Sequence, residues 1–104
     1  MSVALKLAMG RHEKPLDPAW PLAEFASGLR ELKCKRDITY DQMAELTNYG
    51  KTVLSVAAAG RRLPTWDVTR AFVSACGGSV TEWERRWGEA RDRVRAAGGV
   101  QVDG

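Results

Sequence analysis

The chain has 104 residues, enough for one domain with one modest core. Apolar residues make up 44% and charged residues 28%, a globular balance that excludes a disordered chain. The net charge of +3 and pI near 9.1 suit a polyanionic partner without demanding one, and no apolar stretch is long enough to cross a bilayer.

Residues 1–19 hold Gly10, Pro15 and Pro18 without sustained periodicity and read as a flexible arm. Its start, "MSVALKLAM", is interrupted by Lys6 and lacks an export signal's apolar core, so a cytoplasmic chain is expected. His12, the only histidine, lies in this arm. Residues 20–98 read as the folded domain and 99–104 as a tail.

The first helix is expected over Pro21–Arg36, with Leu22, Phe25, Ala26, Leu29 and Leu32 as an apolar stripe and Gly28 as a weak point inside it. Thr39 is a good N-cap for the second, and Gln42 three residues on completes a capping box. Met43, Ala44 and Thr47 face inward. Asn48 is the expected breaker, because Asn accepts a left-handed backbone. The third segment runs from about Lys51 to Ala59, with Val53, Leu54, Val56 and Ala57 as its apolar area. Gly60 stops it and Pro64 forbids continuation.

Thr65 caps a fourth helix over Trp66–Cys76, with Val68, Ala71, Phe72 and Ala75 on one side, and Gly77 and Gly78 end it. Ser79 or Thr81 caps a fifth, striped by Val80, Trp83, Trp87, Ala90 and Val94. The coarse answer is an all-α domain of five short helices. Cys34 and Cys76 read as two packed thiols rather than a disulfide or metal pair.

Catalytic chemistry does not assemble. One arm histidine cannot supply a Ser/His/Asp set, and the paired glycines lack the spacing and lysine of a phosphate loop. No enzyme activity, cofactor or metal is expected. What remains is "TYDQMAELTNYGKTVLSVAAAGRRLPTW", residues 39–66, in which no acid occurs from Leu46 to Trp66. A helix presented to a DNA major groove needs a second helix packed across it through a tight turn. Ala44 supplies the small residue at the approach, Asn48 the turn, and Tyr49, Leu54 and Ala57 the anchors. Lys51, Thr52 and Ser55 are short or polar outward positions at the start of the presented helix.

Residues 25–76 resemble the Cro/repressor-like (XRE-type) helix-turn-helix family. "LRELKCKRDITYDQMAELTNYGKTVLSVAAAGRRLP" follows its layout, and "FASGLRELKCKRDITYDQMAEL" looks most like the version common in actinomycete bacteria. The resemblance implies a five-helix, lambda-repressor-like bundle that binds double-stranded DNA as a bacterial transcriptional regulator. It places Lys51, Thr52, Ser55 and Val56 toward base edges or flanking phosphates, Val56 suiting a thymine methyl. Arg61 and Arg62 fall in the loop that meets the backbone, and Tyr40 and Gln42 where a phosphate is favoured. Four positions depart from the pattern. Asn48 replaces the usual Gly, and Gly50 replaces a Ser or Thr cap. Lys33 and Ala58 stand where many members tie the first helix to the third with an Arg–Glu pair. The third helix is poor in Arg, Asn and Gln. The alternative is therefore a protein-interaction module, antitoxin-like or adaptor-like, which reuses the fold and meets a second copy or another protein through the Trp83–Trp87 face of the fifth helix.

Overall fold

The structure is a computed structural model that describes residues 15–17 and 19–97. His12, most of the expected arm and the tail lie outside the described residues. Five helices follow in order: α1 Ala23–Arg36, α2 Tyr40–Leu46, α3 Lys51–Ala57, α4 Trp66–Ala75 and α5 Val80–Ala96. One core joins them, built on Phe25, Leu29, Met43, Leu54, Phe72 and Trp83.

The expected stripe of α1 is inside: Phe25, Ala26 and Leu29 are buried and Leu32 packs against the core. Gly28 is not a weak point but a crossing point. A Cβ there would lie 2.5 Å from Arg86 Nη2 and 2.8 Å from Trp83 Cη2, so its missing side chain lets α5 approach. The helix ends at Asp37, which adopts the left-handed conformation (φ 58°).

With seven residues each, α2 and α3 are too short to be stable alone. Local caps and burial hold them. At α2 the Thr39 hydroxyl accepts the Gln42 N–H at 3.1 Å, and Gln42 Oε1 accepts the Thr39 N–H at 2.9 Å, which is the expected capping box. Met43 of α2 and Leu54 of α3 are fully buried.

The turn between them differs from the sequence expectation. Asn48 is not left-handed, and Asp37 is the only non-glycine residue with positive φ among the described residues. Thr47 closes the turn instead. Its hydroxyl donates to Met43 O at 3.0 Å and accepts the Tyr49 N–H at 3.2 Å. A side-chain oxygen thus takes over what a left-handed backbone would otherwise supply.

The third helix stops at Ala57, two residues before the expected end, and tightens through Ala58 and Ala59 N–H bonds to Ser55 O and Val56 O. Gly60 follows with φ 83°. The expected apolar group of α3 divides: Leu54 and Ala57 are buried, whereas Val53 and Val56 are 43% and 46% exposed.

Thr65 caps α4 by accepting the Val68 N–H at 3.1 Å, and Ser79, not Thr81, caps α5 by accepting the Glu82 N–H at 3.2 Å. Trp83 is buried edge-on to Phe25, with ring centroids 5.5 Å apart. Trp87 is half-buried and its indole N–H donates to Pro64 O at 2.9 Å. Trp83 and Trp87 thus turn inward as their place on the stripe predicts, against the alternative of a partner patch, and the outer side of α5 carries a Glu82–Arg85–Glu89 ladder. Of the two thiols only Cys76 is packed, and burial pushes its pKa up to about 11; Cys34 is exposed. Among the described residues no helix is long and apolar enough to cross a membrane.

Candidate nucleic-acid interface

Burial of Leu54 and Ala57 fixes the rotation of α3 about its axis. Lys51, Thr52, Val53 and Val56 then face solvent and Ser55 is half-exposed. The outer face is polar at Lys51 and Thr52 and apolar at Val53 and Val56. The Ser55 hydroxyl donates to Thr52 O at 3.1 Å, so its proton is engaged within the helix.

The start of α3 sits beside the first turn of α2. Lys51 Nζ lies 3.3 Å from Asp41 Oδ1, with both side chains well exposed. An exposed pair of this kind contributes little to stability. Gln42 is exposed, but its Oε1 is held in the capping box. Tyr40 is half-buried. Its ring meets Phe72 edge-on at 6.3 Å, with Lys33 Nζ 4.5 Å above it, so the ring is as much a packing element as a surface group.

The two arginines of the α3–α4 loop diverge. The Arg61 guanidinium stacks over Trp20, 5.4 Å from the ring centroid, which draws it toward the start of α1. Arg62 borders a hollow of about 240 Å³ between α3 and the start of α4, together with Thr52, Val56, Pro64 and Val68. The structure thus brings Thr52, Val56 and Arg62 to one surface feature and places Lys51 beside α2. Arg61 is set apart.

Three contributors escaped the sequence reading. Val53 reads from the residues only as part of the apolar area of α3, and its exposure follows from the rotation of the helix. Asp41 was visible as an acid in the first turn of α2, but its reach to Lys51 depends on the turn geometry. Arg30 ties α1 to the end of α3 without the Arg–Glu pair that Lys33 and Ala58 lack: its Nε–H donates to Ala58 O at 2.8 Å. A main-chain acceptor leaves no trace in residue identities, so a search for an Arg–Glu pair misses this bond.

No curated protein and no solved structure matches the chain. A family model described as "Helix-turn-helix domain" matches residues 24–85, which covers α1 from its second residue, α2 to α4 and the first six residues of α5. With more than half of its residues matched, the chain belongs to the helix-turn-helix domain family.

Proposed function

We propose that the chain binds double-stranded DNA in a sequence-dependent way as a bacterial transcriptional regulator in the cytoplasm, with α3 in the major groove. Residues 20–98 act as the DNA-binding unit. The observation that carries this reading is the outer face of α3, exposed along the helix, polar at Lys51 and Thr52 and followed by Arg61 and Arg62, with no acid from Leu46 to Trp66. An α-helix is about 10–12 Å across with its side chains, and the groove is about 12 Å wide. Lys51, Thr52, Ser55 and Val56 then meet base edges and flanking phosphates. Arg61 and Arg62 meet the backbone, and Tyr40 and the free amide of Gln42 reach a phosphate from the first turn of α2.

Asp41 opposes this attraction, because its carboxylate holds Lys51 and repels phosphate. The test is a titration of random duplex DNA at about 50 and about 200 mM salt. The wild type binds with a clear salt dependence. Asp41→Asn removes one charge of the wrong sign, so it tightens binding on the order of eightfold near 0.1 M salt and steepens the slope by about 0.9. Salt-independent binding, or an Asp41→Asn variant that binds no better, would count against the proposed orientation.

A further inference from the structure

The geometry points to pyrimidine C5-methyl groups, those of thymine foremost, as the feature that α3 recognises in the groove; this rests on the DNA-binding reading above. The exposed face of α3 offers few directional readers. It has no Arg, Asn or Gln, so a bidentate contact to guanine or adenine is not available from the helix. The Ser55 hydroxyl proton is donated to Thr52 O. Hydrogen-bonding readout falls to Lys51 and Thr52 at the first turn.

Beside them the exposed face presents Val53 and Val56, three residues apart and therefore neighbours on one face. They do not stand as isolated apolar side chains. Both line the hollow whose far wall is Pro64 and Val68 from the next loop and α4, while Thr52 and Arg62 border it. This is an apolar recess between two elements, with a cation at its edge and no carboxylate on α3 or the α3–α4 loop.

The major groove presents one apolar group among its donors and acceptors, the C5-methyl of thymine. A methyl entering the recess removes apolar surface from water on both sides, which favours binding about fourfold for each methyl contacted. The opposite case is unfavourable. A cytosine N4 amino or adenine N6 amino group set against the valines loses its water partner and gains none. The recess therefore selects by attraction to a methyl and by exclusion of unpaired polar edges. Arg62 at the rim fits the phosphates that flank such a base.

The test uses four duplexes of equal length, of alternating A·T, A·U, I·C and I·5-methyl-C pairs. Within each pair of duplexes only the C5-methyl changes, and inosine keeps the minor groove like that of A·T. Affinities are measured by fluorescence anisotropy with the full chain. The expected result is A·T over A·U, and I·5-methyl-C over I·C, by about fourfold to fifteenfold, corresponding to one or two methyls in contact. The double variant Val53→Thr/Val56→Thr, near-isosteric and at exposed positions, is expected to lose this discrimination, A·T falling to the level of A·U and I·5-methyl-C to that of I·C. Equal affinities within both pairs, with salt-dependent binding intact, overturn the methyl reading alone. Failure to bind any of the four at low salt overturns DNA binding itself and the methyl reading with it. Discrimination that survives in the double variant also overturns the assignment to Val53 and Val56.

Discussion

Replacing Lys51, Arg61 and Arg62 together by alanine is expected to flatten the salt dependence of duplex binding by about 2.7 in log–log slope, three phosphate contacts at roughly 0.9 each. Affinities of variant and wild type converge toward 1 M salt, where phosphate attraction is screened. At 0.1 M the loss is therefore on the order of 500-fold. All three side chains are exposed and none belongs to the core, so folding should be retained, which a far-ultraviolet spectrum checks. The single variants should divide unevenly. Arg61 stacks on Trp20, so Arg61→Ala also removes packing at the start of α1. A triple variant that is folded and keeps the wild-type slope would mean that phosphates are met by another surface.

The largest effect on stability is expected at Trp83. Its ring is 3% exposed, edge-on to Phe25, with the Arg86 guanidinium 3.9 Å from its centroid and the backbone of Gly28 closely approached. Trp83→Ala empties the seam between α1 and α5 and should cost about 3–5 kcal/mol. Against a total stability of about 5–15 kcal/mol, a domain of this size comes close to unfolding at ambient temperature. The measurement is a urea transition followed by circular dichroism, in which the midpoint should fall sharply with little change in slope. A cost below about 1 kcal/mol would place Trp83 outside the core and reopen the case for α5 as an aromatic partner surface.

Much of the architecture was legible because helix ends announce themselves locally. Thr39 with Gln42, Thr65 and Ser79 cap helices with their own oxygens, within three residues in sequence. Gly77 with φ 74° follows the cap of α4 and stops it for a reason internal to one residue. Apolar spacing then placed Phe25, Leu29, Phe72, Trp83 and Val94 inside.

The failures share a different cause, since each depends on a relation between elements. Gly28 looks weak within α1 and becomes necessary only where α5 crosses it. Asn48 had the right propensity, but Thr47 reaches both Met43 O and the Tyr49 N–H, and that closure depends on where α2 ends. Val53 and Leu54 are adjacent and similarly apolar, yet one helical step separates solvent from core. For the candidate site, sequence placed the outward start of α3 and the arginines after it. It did not show that Asp41 engages Lys51, or that Val53 and Val56 share a recess with Pro64 and Val68.

The central claim, that α3 and its flanks form the surface that meets DNA, is tested most directly by backbone amide shifts during titration with duplex DNA. Changes concentrated in residues 40–62, largest at Lys51 and Thr52 and extending to Arg62, are the expected result. Changes confined to residues 80–95, or no change at low salt, would contradict it.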